Sequence, residues 1–490
     1  MTGEPLRCHP TIIVEDTLHI IVVMALFLFI FGRLDMSLVA ALGVGALALT
    51  LLFSYRRWKR TLIRFSEKEV VIERDTLFKF KKVLPYSKIA AVNISQGLLN
   101  RIFGTSKLMI NINSGHNAIL PEASLTFKRE LAERLRGEMS RHLYDQSLPA
   151  EEEMRSIVSF STKDVVVHSL FSVPTSQTLL GGVFLANSIV EMYNSVTTEM
   201  GAGGTALPSL FMFFLIQMVP SITQLFRYYN FKVHRQGEFI HLQHGLIRTY
   251  KTSFRISKIN AVRVKSTLAS RLLHRSCIEA EVVGIASGDS EGSSRPVICL
   301  LKDDETIKKV LGELVPEFVY ERTPGKQPVG AWSVLRIRTL IASVLLVLAM
   351  AYPSAVLFRE NASQEGLLNL AAYLLPLLTA LAILAAVYAA RVSYRVREID
   401  LGEELFTFVN GILDRETVVM SYDKVQMVRV TKGPIARRFG VSRGTVHLLS
   451  STGSKSISSG LFSEEQLDRI GDTVMERMAS GKYDHRLNGI

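Results

Sequence analysis

An arginine recurs at one position in three copies of an 18-residue unit. The copies occupy residues 91–108, 261–278 and 427–444, and their arginines are Arg101, Arg271 and Arg437. A guanidinium in a loop binds either backbone carbonyl oxygens or an anion. We interpret the three arginines as structural groups that tie their loops to carbonyl oxygens, with an anion site as the alternative.

The histidines and cysteines of the chain form no pattern typical of a metal site or a catalytic site. The eleven histidines are dispersed, and Cys8, Cys277 and Cys299 form no Cys-x-x-Cys pair. The sequence contains no His-x-x-x-His motif and no glycine-rich phosphate loop. We therefore predict a protein that is not an enzyme and that holds no metal and no cofactor.

The composition is typical of a membrane protein with an anionic partner. Hydrophobic residues make up 48% of the chain, the mean hydropathy is +0.23, and the formal net charge at pH 7 is +12. Nucleic acid and anionic lipid both attract a positive charge of this size, and the apolar segments favour lipid. We expect an integral membrane protein that meets anionic lipid headgroups and binds no nucleic acid.

Six apolar segments are grouped in three close pairs. They occupy residues 18–31, 34–53, 169–190, 205–226, 339–358 and 367–388, and the first needs to begin near Ile12 to reach the length of a span. About 20 apolar residues are needed to cross the bilayer core, so the pattern predicts six spans in three helical hairpins. Gln177, Asn187 and Gln217 are expected to form hydrogen bonds between these helices.

Lysine and arginine residues cluster outside the pairs and are scarce in the turns within them. The outer flanks include "YRRWKR" after the second segment, "FRYYNFKVHR" after the fourth and "RVSYRVR" after the sixth. Cytoplasmic flanks carry the excess of positive charge in membrane proteins. We therefore predict a multi-pass plasma-membrane protein whose N-terminus, C-terminus and three hydrophilic segments all face the cytoplasm.

Each hydrophilic segment has the pattern of several strands followed by one helix. Gly245 and Gly411 occupy predicted hairpin turns, and the closing helices are predicted over residues 121–139, 303–315 and 463–478. The predicted fold class is thus a polytopic helical membrane protein with three α+β domains, each a small β-sandwich or barrel closed by a helix. The predicted boundaries are 1–54 (first hairpin), 55–146 (domain 1), 147–166 (linker), 167–226 (second hairpin), 227–322 (domain 2), 323–334 (linker), 335–390 (third hairpin), 391–480 (domain 3) and 481–490 (tail).

Several motifs resemble those of the YdbS/YdbT-like bacterial membrane proteins, which contain bacterial pleckstrin-homology (PH) domains. The resemblance rests on the hairpins "HGLIR" and "NGILDR", on the segments "PYSKIAAV", "RISKINAV" and "SYDKVQMV", and on "LRCHP" before the first span. It implies PH-like domains and membrane residence, without an established ligand. The sequence departs from the pattern at Asp75, which replaces the hairpin glycine, and at His274 and Pro434 in the loops.

In PH domains generally, basic residues on the first hairpin bind anionic headgroups. The resemblance therefore implies a site for lipid or for a protein partner in the first two copies, at Lys79, Lys81, Lys82, Arg248, Lys251 and Arg255. The alternative is an ordinary solvated face that obeys the positive-inside rule.

Our leading hypothesis is a non-catalytic membrane scaffold that presents three tethered PH-like domains to protein partners or anionic lipids. A smaller membrane protein of the same family is a candidate partner, and envelope stress or antimicrobial-peptide resistance is a candidate context. The alternative is a transporter or lipid-handling protein. That alternative requires ionisable residues inside the helices, and the six segments contain essentially none.

The predicted orientation can be tested with reporter fusions after Leu148 and after Glu321. We expect a reporter that is active only in the cytoplasm to be active at both positions, because the flanking lysines and arginines keep both segments inside. Activity of a reporter that folds only outside the cytoplasm, at either position, would contradict this orientation.

Overall fold

The computed structural model describes residues 4–30, 36–76, 79–112, 121–144, 158–197, 206–283, 285, 295–361, 367–450 and 453–481. The chain repeats one arrangement three times: a pair of apolar helical segments, then six strands with a short helix after the fourth, and a closing helix. We call the six strands, the short helix and the closing helix of each repeat a module.

The first repeat contains two long helices and module 1. Its elements are α1 (Thr11–Ile30), α2 (Met36–Lys59), β1 (Thr61–Phe65), β2 (Glu69–Asp75), β3 (Lys79–Pro85), β4 (Ile89–Gln96), α3 (Leu98–Ile102), β5 (Thr105–Ile112), β6 (Ala123–Lys128) and α4 (Arg129–Tyr144). The closing helix predicted over residues 121–139 is wrong in its first part. Residues 123–128 instead form a strand on β5, because Ala123, Leu125 and Phe127 share one buried face.

The second repeat has a broken first helix. Its elements are α5 (Thr162–Phe171), α6 (Thr175–Thr197), α7 (Ala206–Phe213), α8 (Val219–Tyr228), β7 (Lys232–Gln236), β8 (Phe239–His244), β9 (Thr249–Arg255), β10 (Ile259–Ser266), α9 (Leu268–Leu272), β11 (Arg275–Val282), β12 (Val297–Asp303) and α10 (Asp304–Leu314). A π-helical turn joins α7 to α8. The predicted helix over residues 169–190 is interrupted just before α6, because Pro174 disfavours a helical conformation at the residue before it.

The third repeat has the longest helices. Its elements are β13 (Gly325–Lys326), α11 (Val329–Asn361), α12 (Leu367–Val396), β14 (Glu398–Leu401), β15 (Leu405–Gly411), β16 (Arg415–Ser421), β17 (Val425–Thr431), α13 (Pro434–Arg438), β18 (Val441–Ser450), β19 (Gly453–Ser463) and α14 (Glu464–Ala479). The closing helix predicted here agrees with α14. The Ser463 side chain caps it, and Glu464 and Glu465 complement the positive end of the helix dipole.

Within the described residues, three helical stretches are long and apolar enough, by length and composition, to cross a membrane. They are Ala206–Tyr228, Val329–Arg359 and Leu375–Val396. Predicted hydrogen bonds between paired helices are confirmed for Gln177, which donates to the carbonyl of Ile216 at 2.7 Å, and for Asn187, which donates to the Ser209 hydroxyl at 2.8 Å. These amides therefore serve helix packing.

Each module is a sandwich of two antiparallel sheets that is closed by its final helix. In module 1, β1–β3 form one sheet and β4–β6 lie in the other. Helix α4 buries Ala132, Leu135 and Met139, which the helical period of 3.6 residues places on one face. Helix α14 does the same with Leu467 and Ile470. Burial of each large apolar side chain contributes roughly 1.5–3 kcal/mol, so the closing helix is a main source of module stability.

Polar contacts connect the helices of the first two repeats to their own modules. The Trp58 indole at the end of α2 donates to the carbonyl of Cys8 at 2.7 Å, and Leu6 forms a bridge with Ile63 of β1. In the second repeat, Asp164 of α5 lies 2.8 Å from the Lys302 ammonium group. These contacts hold the helices of these two repeats against their modules.

The sheets of neighbouring modules are continuous. Strand β4 of module 1 pairs with β9 of module 2, which gives a six-stranded sheet in the order β6-β5-β4-β9-β8-β7. Strand β10 of module 2 pairs with β16 of module 3, which gives a seven-stranded sheet that ends with β13. The two remaining sheets, β1-β2-β3 and β17-β18-β19, lie at opposite ends of the row of modules.

Two glycines make the predicted hairpin turns possible. Gly245 and Gly411 have φ values of 115° and 131°, which L-residues rarely adopt. A Cβ atom at either site would lie 1.9 Å from a carbonyl oxygen, that of Arg248 or Asp414. The corresponding turn of module 1 includes residues 77–78, which lie outside the described residues.

Substitution Gly411→Ala should destabilise the third module. The added Cβ meets the Asp414 carbonyl and the backbone is strained, which costs roughly 1–3 kcal/mol or more. The matched control is Gly471→Ala in α14, where a Cβ meets open space and the helix gains about 0.5–1 kcal/mol. Thermal unfolding of the purified chain should show opposite shifts for the two variants. Equal shifts would contradict the assigned turn.

Candidate functional site

Two seams of paired strands join the modules with the same register. In the first seam, Ile94 of β4 lies opposite Lys251 of β9. In the second seam, Val264 of β10 lies opposite Thr417 of β16. Both pairs join the sixth residue of one strand to the third residue of the other. The seams therefore repeat one contact between successive modules.

The recurrent arginines reach across these seams. Arg101 of module 1 donates to the Thr249 hydroxyl of module 2, and Arg271 of module 2 donates to the carbonyl of Leu413 of module 3 at 2.6 Å. The Arg271 contact has the predicted chemistry, and its carbonyl belongs to the next module. Arg437 occupies the same position at the end of the row, where its side chain is exposed.

A buried ionic cluster fills the second seam. The Arg263 guanidinium lies 2.7 Å from the Glu281 carboxylate, with both side chains buried, and it also contacts Glu416 of module 3. The N–H of Arg263 Nε is not aligned with the carboxylate oxygen, so its contact with Glu281 is ionic rather than a directed hydrogen bond. Arg295 contacts Glu279 at 3.1 Å. Burial alone lowers the pKa of Arg295, and Glu281 and Glu279 outweigh this effect and raise it.

The predicted basic residues of module 1 lie on β3, at the outer edge of the row. The Lys81 side chain is 65% exposed and lies 3.1 Å from Glu73, and Lys79 is exposed as well. Lys82 is only partly exposed and forms an ion pair with Glu122. Lys79 and Lys81 are thus the accessible cations of this predicted site.

The predicted basic residues of module 2 lie against other groups. The Lys251 ammonium is 3.6 Å from the Glu133 carboxylate of module 1, across the first seam. Arg255 stacks over the Phe239 ring at 5.4 Å, and Arg248 lies beside Gly97 of module 1. The structure therefore brings Arg248 and Lys251 to the seam, and it does not gather the six predicted residues at one place.

Exposed apolar side chains mark the end of the modules nearest the apolar helices, which we call the helix-proximal edge. The short helices α3 and α9 expose 75% of Ile102 and 76% of Leu272. The hairpin between β8 and β9 exposes Leu246 and Ile247, and the backbone N–H of Leu246 donates to the carbonyl of Phe226 near the end of α8. Sequence reasoning missed these residues, although Leu98 and Ile102 have the i, i+4 spacing of one helix face.

A polar cavity of about 410 Å³ lies between the second helix pair and module 2. Its lining includes His168, Arg227, Lys265, Glu279 and Arg295. Burial, aided by the nearby Lys265 charge, lowers the pKa of His168 to about 3, so this imidazole is neutral at physiological pH. The cavity combines cations with a carboxylate.

Two pentapeptides match the Gly-x-Ser-x-Gly pattern of serine hydrolases, at residues 288–292 and 440–444. The first lies outside the described residues. In the second, Ser442 is fully buried near the start of strand β18. A nucleophilic serine in that pattern stands exposed on a turn from a strand to a helix. The geometry at Ser442 therefore does not match that of a hydrolase.

Three repeats of an apolar helix pair and a sandwich closed by a helix define a membrane protein built from PH domains. The bacterial PH domain family matches residues 18–142, 180–312 and 336–478, which is more than half of the chain, and the chain belongs to this family. It is similar to the UPF0699 transmembrane protein YdbT of Bacillus subtilis (strain 168), with 22% identity over 383 residues. The similarity covers 71% of this chain and 77% of that relative.

Substitution Arg271→Ala should loosen the second seam at its hairpin. Loss of a charge-assisted hydrogen bond to a carbonyl costs about 1.5 kcal/mol, which corresponds to roughly tenfold faster exchange through local opening. Hydrogen exchange of the amides of Asp414 and Arg415 measures this effect. The matched control is Arg437→Ala, which removes an exposed side chain and should leave the exchange of its neighbouring amides unchanged. Equal responses to the two substitutions would contradict the contact.

Proposed function

We propose that the protein is a non-catalytic membrane scaffold that holds three PH-like modules as one rigid row beside the membrane. The observation that carries this proposal is the pair of seams, in which the same strand pairing joins successive modules. A rigid row presents several weak binding sites at fixed spacing, and binding at one site then raises the effective concentration at the next.

The proposed membrane arrangement is six spans with all three modules on the cytoplasmic side. Helix α1 has 20 residues and helix α6 has 23, which gives lengths of roughly 30–35 Å. Lengths of this size suit the hydrocarbon core of a bilayer. The basic flanks lie at the module ends of the helices, with Arg56, Arg57 and Lys59 in the last turn of α2.

The proposed ligand surface is the helix-proximal edge together with the exposed lysines of β3. Apolar tips such as Ile102, Leu272 and Ile247 lie beside the ends of the apolar helices, where lipid headgroups begin. Lys79 and Lys81 add positive charge, and each such residue near an anionic leaflet contributes about 1 kcal/mol.

A transporter is less well supported, because Gln177 and Asn187 are used in contacts between helices. A small partner of the same family and a role in envelope stress or antimicrobial-peptide resistance stay predictions.

The depth of the hairpin between β8 and β9 tests this placement. A nitroxide on Ile247→Cys of the full chain, in vesicles with anionic lipid, should collide more often with oxygen than with a water-soluble nickel complex. The matched control is a nitroxide on Glu238→Cys, at the opposite end of β8 and roughly 20 Å further from the bilayer, which should give an aqueous signal.

The native cysteines are buried and should react little with the label. An aqueous signal at Ile247 equal to that at Glu238 would contradict contact of the helix-proximal edge with the headgroups. A headgroup signal that persists in zwitterionic vesicles would support apolar insertion and would contradict a requirement for anionic lipid.

A further inference from the structure

The row of modules ends in two open strand edges that match the two sides of a seam. Strand β17 of module 3 is the counterpart of β4 and β10, and it lies at the edge of its sheet. Strand β3 of module 1 is the counterpart of β9 and β16, and it also lies at an edge. Module 3 thus presents an edge strand of the β4 and β10 type, and module 1 presents an edge strand of the β9 and β16 type.

The exposure of these strands differs from that of their counterparts. Ala91 of β4 and Ala261 of β10 are buried, whereas Met427 at the same position of β17 is 42% exposed. Ser253 of β9 is buried, whereas Val83 at the same position of β3 is 42% exposed. The apolar residues at the two ends therefore lie where a seam would cover them.

We infer that β17 of one copy of this chain pairs with β3 of a second copy and forms a third seam of the same register. The sixth residue of β17 is Val430 and the third residue of β3 is Lys81, so these residues would lie opposite each other. Val428 would then lie opposite Val83. This contact does not depend on binding of lipid headgroups by the modules.

Charges beside the two edges are complementary. In the first seam, Glu133 of α4 lies 3.6 Å from Lys251. The matching residues at the ends of the row are Asp468, on the exposed face of α14, and Lys81 of β3. Asp468 of one copy would therefore meet Lys81 of the next. In the same register Arg429 falls opposite Lys82, and Lys432 falls opposite Lys79.

These two like-charge pairs do not prevent the pairing, because one member of each pair already has a carboxylate partner. Lys82 forms an ion pair with Glu122, which neutralises its charge within module 1. Lys432 next to β17 is likewise paired with Glu464 of α14. The lysines of β3 disfavour addition of an unrelated strand, as lysines on edge strands do in general. Strand β17 differs from an unrelated strand because the acidic helix α14 lies beside it and brings negative charge to these lysines.

A third seam of this kind is heterologous, because two different surfaces meet. Heterologous contacts build closed rings or open rows rather than two-fold dimers. A common membrane keeps the modules of all copies at one height, so the copies would join side by side in the plane of the membrane.

Disulfide trapping in native membranes tests the inference. Two full-length chains with different tags are co-expressed, one with Val83→Cys and the other with Val428→Cys, and are then oxidised. Residues opposite each other in antiparallel strands have Cα atoms about 4.5–5.5 Å apart, within the range of a disulfide. We expect a disulfide that links the two tags. The internal control is one chain with Val264→Cys and Thr417→Cys, opposite residues of the second seam, which should form an intramolecular disulfide.

Three outcomes would overturn the inference. The first is an internal disulfide that forms while the two tags stay unlinked. The second is an equal yield from a shifted pair, Val83→Cys with Lys432→Cys, which would indicate random collision. The third is cross-linking of Val428→Cys to a protein that carries neither tag, in place of the tagged copy, which would assign this edge to another partner.

A charge exchange tests the register independently. Asp468→Lys in the Val428→Cys chain places two cations together and should reduce the yield of the linked species several-fold. Lys81→Glu in the other chain should restore it. A yield that does not respond to either change, or that is not restored by the second, would overturn the proposed contact between Asp468 and Lys81.

Discussion

The structure depends on backbone hydrogen bonding between strands of different modules. A strand at the edge of a sheet presents N–H and C=O groups that need partners, and an open edge favours aggregation. Here β4 is covered by β9 and β10 is covered by β16, so each module completes a sheet of its neighbour. Because these bonds require antiparallel alignment and a fixed register, they hold the modules in one orientation.

This constraint explains the other polar groups of the row. Arg101 and Arg271 follow the strand that forms each seam, and they bind the hairpin of the next module. The cluster of Arg263, Glu281 and Glu416 lies at the second seam, where Glu416 of module 3 contacts the buried Arg263 of module 2. The helix pairs add a second constraint, since those of the first two repeats are tied to their own modules by polar contacts. Sheets and helices together hold the three PH-like modules in a fixed arrangement.

Sequence patterns revealed the repeat, the two glycine turns and the helix over residues 463–478, because these depend on local geometry. The helix predicted from residue 121 was wrong at its start, since the pairing of β6 with β5 outweighs local helix signals there. The break before α6 follows from Pro174. The predicted span over residues 169–190 ran through this proline because the surrounding segment is apolar. The seams left no periodic signal, because they join strands far apart in sequence. The recurrent arginines were the one sequence feature related to the seams. The residues that these arginines bind belong to another repeat.

The most direct test of this account is hydrogen exchange of the strands within the seams. In the purified chain at high dilution, amides of β10 and β16 should exchange as slowly as those of the core strand β11. The edge strand β17 should exchange much faster at its outward-facing amides. Exchange of β10 or β16 as fast as that of β17 would contradict the claim that strand pairing joins the modules.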